Sequence, residues 1–217
     1  MEESSTPSAS LSSEAPQQPE AVLLIRHGAT DWSEAGRHTG WTDLPLNGTG
    51  LDQAQALRGP LSRWSFSAVY CSPLQRARDT CTASGYGDGV EVDPDLREWN
   101  YGDYEGRTAA EIGQLRPGWT LWDDGVVNGE SLTDVAARAD RVVTRLRSER
   151  GAVAVFAHGH LLRMLAARWI EQEALIGRLL YLSTASISEV GWEHDWPSIR
   201  LWNDTGHLEP GIQGTAQ

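Results

Sequence analysis

The chain has 217 residues, of which 40% are hydrophobic and 22% charged, a composition typical of a globular protein. Its net charge is −12 and all 18 basic residues are arginines. This excludes lysine-based Schiff-base chemistry, and we expect no nucleic-acid and no membrane partner, because both need a positive face. Arginine side chains still suit phosphate groups, so a small anionic ligand is compatible with the composition.

Residues 1–20 are rich in Ser, Glu, Pro and Gln, and we expect a disordered tail there. One domain over residues 21–207 and a flexible tail over residues 208–217 account for the rest. No segment reaches the roughly 18 apolar residues of a membrane span, and the N-terminus lacks the pattern of a secretory signal. With only two cysteines, Cys71 and Cys81, we expect a cytoplasmic protein with reduced thiols.

The first predicted element is a strand over residues 21–25. Its continuous apolar run is typical of a strand that is buried on both faces of a parallel sheet. It ends at Arg26-His27-Gly28, and polar residues directly after a buried strand are typical of an α/β active site. A loop over residues 30–48 and a helix over residues 49–60 are predicted to follow.

A second strand is predicted over residues 66–71. Ser72-Pro73 comes directly after it and predicts a helix N-cap with proline at the first helical position. Arg76 would then lie in the first turn of that helix. A short strand over residues 90–92 and a loop over residues 93–107 come next.

Two capping boxes predict the later helices, one formed by Thr108 with Glu111 and one by Ser131 with Asp134. The second of these helices should run to about residue 150. The remaining predicted elements are a strand, a helix and two further strands, over residues 152–157, 161–170, 186–192 and 198–202. This alternation predicts an α/β fold, a three-layer sandwich with a mainly parallel central sheet flanked by helices.

Two of the buried strands end in a histidine motif, Arg26-His27-Gly28 and His158-Gly159-His160. The carboxyl ends of parallel strands share one edge of a sheet, so His27 and His158 should face each other there. Arg76 comes to the same edge from a helix start, and Glu98 lies in a loop that could close over it. The sequence therefore places two arginines, two histidines and a carboxylate in one crevice.

Phosphoryl transfer requires these residue types. Arginine forks hold and balance the charged phosphoryl oxygens. A neutral imidazole can attack phosphorus without an external base, and a second histidine can donate to the phosphoryl oxygens. A loop carboxylic acid can give its proton to the leaving alkoxide.

Four motifs in this order resemble the histidine phosphatases, the phosphoglycerate mutase-like superfamily, over about residues 21–207. They are Leu24-Ile25-Arg26-His27-Gly28-Ala29-Thr30, Cys71-Ser72-Pro73-Leu74-Gln75-Arg76-Ala77, Leu96-Arg97-Glu98-Trp99-Asn100-Tyr101-Gly102 and Ala157-His158-Gly159-His160. The resemblance implies that His27 is the phosphorylated nucleophile, Glu98 the proton donor and His158 the second pocket histidine. It also implies that Arg26 and Arg76 hold the phosphate, and that no cofactor or metal is needed.

The resemblance further implies a set of substrate contacts beyond these catalytic residues. The predicted contacts are Gly28, Thr30, Ser33, Thr39, Gly40, Tyr101, Gly159 and His160. The expected partner is a small phosphorylated metabolite, and a monomer or a homodimer is expected.

The same family contains mutases, which move a phosphoryl group between substrate hydroxyls. They resemble this chain less, because the stretch between Glu98 and His158 is short and has no lysine and no adjacent arginine pair. His160 and Ser33 also stand where mutases usually carry asparagine. We therefore expect a phosphatase of the broad acid phosphatase or sugar-bisphosphatase type, with a mutase as the alternative and an inactive phosphate-binding protein as a third hypothesis.

Several further residues allow two interpretations. His158 and His160 have the spacing of some zinc ligands, although a cation there would compete with the arginines for the same volume. His38 could lie at the entrance of the active-site crevice. Trp41 and Trp99 could line the pocket for the leaving group or pack in the hydrophobic core. Glu130 could be a pocket carboxylate, but its place at a helix start favours a structural role.

Overall fold

The computed structural model describes residues 18–209. One six-stranded sheet, in the order β3-β2-β4-β1-β5-β6, forms the centre of the fold. The strands in chain order are β1 Ala21–Arg26, β2 Phe66–Cys71, β3 Glu91–Val92, β4 Ala152–Ala157, β5 Ile187–Glu193 and β6 Trp196–Asp204. The first four strands in spatial order are parallel to one another. Strand β5 pairs with β1 in the antiparallel direction, and β6 pairs with β5 in the antiparallel direction. The mainly parallel sheet is confirmed.

Helices cover both faces of this sheet. The α-helices in chain order are α1 Asp31–Glu34, α2 Gly48–Ala56, α3 Arg58–Leu61, α4 Gln75–Ala83, α5 Ala109–Leu115, α6 Leu121–Asp124, α7 Leu132–Ser148 and α8 Gly159–Trp169. Short 3-10 helices lie at Pro94–Leu96, Gly102–Tyr104 and Ala174–Leu179.

The alternation of side chains along β1 divides the core into two layers. Val22 and Leu24 belong to the cluster that α7 and α8 cover, whereas Leu23 and Ile25 belong to the cluster under α2, α3 and α4. Since neighbouring residues of a strand point to opposite faces, a strand that is buried along its whole length needs helices on both sides. This confirms the three-layer α/β sandwich.

Several predicted elements differ in detail. The predicted loop over residues 30–48 contains the one-turn helix α1, which Thr30 caps, and the predicted helix over residues 49–60 divides at Leu57 into α2 and α3. The predicted N-cap at Ser72 is wrong, because α4 begins at Gln75 and its N-cap residue, Leu74, makes no side-chain cap bond. The two predicted capping boxes, at Thr108 and Ser131, are confirmed.

The ends of the predicted domain also shift. The sequence predicts Leu208 in a flexible tail, but its side chain is buried in the cluster beneath α2 and α3. At the other end Pro19 is buried, and the Glu20 amide donates to the Gly151 carbonyl at 2.8 Å. The rest of both predicted tails, residues 1–17 and 210–217, lies outside the described residues. Between residues 18 and 209, the helices are all too short or too polar to cross a membrane.

Candidate active site

The register of the sheet brings the two histidine motifs together. Arg26 at the end of β1 pairs with Ala157 at the end of β4, so the next residues, His27 and His158, lie side by side with ring centroids 5.1 Å apart. Both side chains are buried, being 4% and 0% exposed. The parallel sheet thus places at one edge two residues that are far apart in the sequence.

The hydrogen bonds of His27 fix which ring nitrogen carries the lone pair. Its Nδ1 lies 2.7 Å from the carbonyl oxygen of Gly28, and since a carbonyl only accepts, Nδ1 must hold the proton. Nε2 then carries the lone pair and accepts from Nε of Arg76 at 3.3 Å. Burial holds the pKa of His27 well below 6.5, and the cations Arg76 and Arg26 lower it further. The result is a neutral imidazole whose unprotonated Nε2 accepts a hydrogen bond from Arg76.

Arg76 is held in place by backbone carbonyls. Its Nη2 donates to the carbonyls of Thr39 and Gly40 at 3.0 and 2.8 Å, and its Nη1 donates to the carbonyl of Thr42 at 3.2 Å. The side chain is fully buried, and burial lowers its pKa. Thr39 and Gly40, predicted as substrate contacts, therefore contribute at least their carbonyl oxygens to the orientation of this guanidinium.

Glu105, a site residue that sequence reasoning missed, organises the loop at residues 39–42. Its carboxylate accepts from the amides of Gly40, Trp41 and Thr42 at 3.0 to 3.3 Å, and from the amide of Tyr101 at 3.2 Å. A side chain at position 40 would lie only 2.1 Å from the carboxylate. Gly40 is thus required by this close approach.

Arg26 lies on the other side of the crevice. Its Nη1 donates to the carbonyl of Leu182 at 2.6 Å, and its guanidinium packs against Gly159, where an added Cβ would lie 3.4 Å from Cζ. Burial lowers the pKa of Arg26 to about 10, while Glu98 raises it. Arg26 remains a cation at neutral pH, and a Cβ at Gly159 would be in ordinary van der Waals contact with its guanidinium.

Glu98 is buried at the N-terminus of α8. Its Oε2 accepts from the amide of His160, and its Oε1 accepts from the amides of Leu161 and Trp99, each at 2.9 Å. Amides at a helix start favour an anion, and these three fix the orientation of the carboxyl group. The predicted acid therefore lies beside the two histidine motifs.

His158 has one partnered and one unpartnered ring nitrogen. Its Nε2 lies 2.7 Å from Oγ of Ser72, whereas its Nδ1 is buried and has no hydrogen-bond partner among residues 18–209. Burial holds the pKa of His158 well below 6.5, with Arg76 as the next cause. Ser72 is a site residue that sequence reasoning missed, because its pattern indicated a helix cap.

His160 is surrounded by aromatic rings. Its Nδ1 lies 2.7 Å from the hydroxyl of Tyr101, and the rings of Trp99 and Trp122 lie 6.4 and 5.5 Å away. Burial raises the pKa of Tyr101 well above 10, so the phenol keeps its proton and donates it. Burial also holds the pKa of His160 well below 6.5, and the imidazole is neutral.

The other predicted contacts have structural partners of their own. The amide of Gly28 donates to Oγ1 of Thr80 at 3.0 Å. The hydroxyls of Thr30 and Ser33 form the capping box of α1, so capping accounts for both of these side chains. Nothing within residues 18–209 groups three or more His, Cys, Asp or Glu side chains in a way that could hold a metal.

The residues that allow two interpretations from the sequence lie partly in the core and partly at the rim of the crevice. Trp99 is fully buried, whereas Trp41 is 43% exposed and donates through Nε1 to the Glu98 carbonyl at 3.0 Å. His38 lies at the rim, with its ring 5.0 Å from that of Tyr101. Glu130 directly precedes the N-cap residue of α7 and forms an ion pair with an arginine of that helix.

Comparison with known proteins agrees with this geometry. The histidine phosphatase superfamily (branch 1) matches residues 22–205. The chain belongs to this superfamily. An acid phosphatase of Mycobacterium tuberculosis is 37% identical to this phosphatase over 89% of the chain and 97% of the relative. A sedoheptulose 1,7-bisphosphatase of Saccharomyces cerevisiae is 38% identical over 68% of the chain and 66% of the relative.

Solved structures give the same result. A functionally characterised open reading frame product of Mycobacterium tuberculosis superposes on the phosphatase with a TM-score of 0.81, at 38% identity over 86% of the chain and 98% of the relative. A mycobacterial glucosyl-3-phosphoglycerate phosphatase complexed with VO3 gives a TM-score of 0.75, at 30% identity over 85% and 99%. The phosphoglycerate mutase-like fold and the phosphatase class expected from the motifs are confirmed.

Proposed function

We propose that this phosphatase hydrolyses small phosphorylated metabolites, sugar phosphates in particular, through a phosphohistidine on Nε2 of His27 and without a metal ion. The observation that carries the proposal is the neutral imidazole of His27, whose Nδ1 proton is held by the Gly28 carbonyl and whose Nε2 lies against Arg76. Nε2 is thereby unprotonated at neutral pH, and it can attack without an external base once the Arg76 N–H turns to the phosphoryl oxygens. The sugar-phosphate class is supported by the names of the yeast and mycobacterial relatives.

In the first step Nε2 attacks phosphorus, a P–N bond forms and the P–O bond to the substrate breaks. Glu98 acts in its protonated form, which the second step regenerates, although the amides of α8 favour the carboxylate. It gives its proton to the leaving oxygen, which departs as an alcohol. Arg26 and Arg76 balance the charge on the phosphoryl oxygens. The tautomer of His158 with its proton on Nδ1 adds a neutral donor, because the Ser72 hydroxyl can donate to Nε2.

In the second step water attacks phosphorus and passes a proton to Glu98, while the P–N bond breaks and its electron pair returns to Nε2. The products are inorganic phosphate and the free imidazole. Transfer to a substrate hydroxyl in place of water would give the mutase reaction.

We further infer that the protein works in the cytoplasm as a monomer or a homodimer. The location is supported by two free, buried cysteines, Cys71 and Cys81.

Trapping the intermediate tests the mechanism. A quenched sample turning over labelled substrate should carry acid-labile, base-stable phosphate, and His27→Ala should carry none and lose phosphatase activity. His194→Ala is the control, because this side chain is 85% exposed. Label or activity that survives in His27→Ala refutes the nucleophile assignment.

Two further measurements test the metal and the substrate class. Activity should be unchanged in excess chelator, and loss of activity there refutes the metal-free mechanism. A screen of phosphorylated metabolites for phosphate release should favour sugar phosphates. Isomerisation of 3-phosphoglycerate faster than its hydrolysis would instead establish the mutase alternative.

A further inference from the structure

A buried ion pair lies behind the segment that carries Glu98. Arg138 on α7 donates from Nε to Oε1 of Glu130 at 2.7 Å and from Nη2 to Oε2 at 2.8 Å. The two side chains are only 10% and 16% exposed. Such a bidentate, charge-assisted ion pair fixes the orientation of the two side chains relative to each other.

The guanidinium of Arg138 also binds the backbone of the segment. Its Nη1 donates to the carbonyls of Asp95 and Arg97 at 2.7 and 2.9 Å, and its Nη2 donates to the carbonyl of Glu98 itself at 3.4 Å. The Arg138 guanidinium thus binds the carbonyl groups of two residues that precede Glu98 and the carbonyl group of Glu98 itself.

Glu130 binds the same segment from its other end. Its Oε2 accepts from the amide of Asn100 at 2.9 Å, and its backbone amide donates to the Asn100 carbonyl at 3.0 Å. The Glu130 carbonyl accepts from Nε1 of Trp99 at 2.7 Å. Together with Arg138, these bonds hold the backbone on both sides of Glu98.

We propose that the Arg138–Glu130 pair positions Glu98 for transfer of its proton to the leaving oxygen. The proposal rests on the acid role given to Glu98 under the proposed function. The carboxyl group itself is bound by the amides of α8, so weakening of the pair should shift the carboxyl group rather than remove it. Errors of about 1 Å in such a group can cost about 100-fold in rate.

A comparison of leaving groups separates positioning from general damage. Nitrophenolate leaves readily without a proton, whereas the alkoxide of glycerol 2-phosphate needs one. The ratio kcat/KM includes every step up to the departure of this group. Arg138→Lys and Glu130→Gln should lower kcat/KM by about 10- to 100-fold on glycerol 2-phosphate and by less than about 3-fold on 4-nitrophenyl phosphate. Equal losses on both substrates would overturn the proposal.

Arg141 provides a matched control on the same helix. It binds the side chain of Asp95 at 2.7 and 2.8 Å, is 57% exposed, and makes no hydrogen bond to the carbonyls of Asp95, Arg97 and Glu98 that Arg138 holds. Arg141→Lys should leave the ratio of the two kcat/KM values unchanged. If Arg141→Lys changes this ratio as much as Arg138→Lys does, the assignment to the Arg138–Glu130 pair is wrong.

Glu98→Gln distinguishes failure of this proposal from failure of the proposed function. Equal losses in Glu98→Gln on the two substrates would refute the acid role itself. Leaving-group dependence in Glu98→Gln without any in the Arg138 and Glu130 variants would refute positioning alone. Tryptophan fluorescence establishes folding first, and Glu130→Gln, which keeps an acceptor for the Asn100 amide, serves as the test if Arg138→Lys does not fold.

Discussion

Acidification below about pH 6.5 should destabilise the folded phosphatase steeply, because unfolding lets its buried histidines gain protons. The pKa values of His27, His158 and His160 all lie well below 6.5 in the folded chain, with burial as the first cause in each. An unfolded histidine titrates near about 6.5. A pKa that is depressed by folding contributes stability that is present above this pH and lost as the pH falls.

The size of this pH dependence follows from the number of protons that the chain takes up when it unfolds. Each such histidine lowers the free energy of unfolding by about 1.4 kcal/mol per pH unit once the pH is well below 6.5. Three together give about 4 kcal/mol per unit, and His38 and His207, whose pKa values burial also lowers, act in the same direction. Since domains are stable by only about 5–15 kcal/mol, a fall of one to two units should remove much of the stability.

Urea unfolding, followed by tryptophan fluorescence between about pH 5 and pH 8, measures this slope. The buffers must be free of phosphate, because a bound anion would stabilise the fold. His160→Gln should reduce the slope by about 1.4 kcal/mol per pH unit, whereas His194→Gln, at a side chain 85% exposed, should not change it. A free energy of unfolding that stays constant between pH 6.5 and 5.5 would refute the reasoning.

Two substitutions test how backbone contacts support the site. Gly28→Ala should cost about 1–3 kcal/mol of stability, because the added Cβ would lie 2.3 Å from the Gly50 carbonyl oxygen. Gly48→Ala, at the start of the helix α2 that contains Gly50, meets nothing within 4 Å and is the control in urea unfolding; equal effects would contradict the clash. Glu105→Gln should raise KM for phosphomonoesters by about 10-fold, because a less ordered loop would hold Arg76 less firmly. An unchanged KM would show that the loop keeps its shape without this charge.

Those parts of the site that follow directly from buried strands could be predicted from the sequence. The apolar runs of β2 and β4 were predicted with the bounds that the structure has. A parallel sheet aligns the ends of such strands, so His27 and His158 had to meet wherever the strands paired. The position of Glu98, by contrast, rested on family resemblance, because a loop over residues 93–107 has no periodicity that would fix its path.

The residues that sequence reasoning missed act through partners far along the chain. Ser72 has the pattern of a helix cap, but its hydroxyl contacts His158, and the helix begins three residues later. Glu105 binds the loop at residues 40–42, and Arg138 binds the segment before Glu98. A carboxylate or an arginine in these places looks like any solvated charge until the fold has brought its partner near.

The charge of the whole chain and the charge of the crevice have opposite signs. A net charge of −12 repels an anionic substrate at long range, whereas Arg26 and Arg76 attract it at short range. The surface field is screened over about 8 Å at physiological ionic strength, so a phosphate group inside the crevice experiences mainly the two buried guanidinium groups. Binding strength should therefore depend on direct contacts with the phosphoryl oxygens rather than on steering, and the neutrality of the imidazoles leaves His27 free to act as a nucleophile.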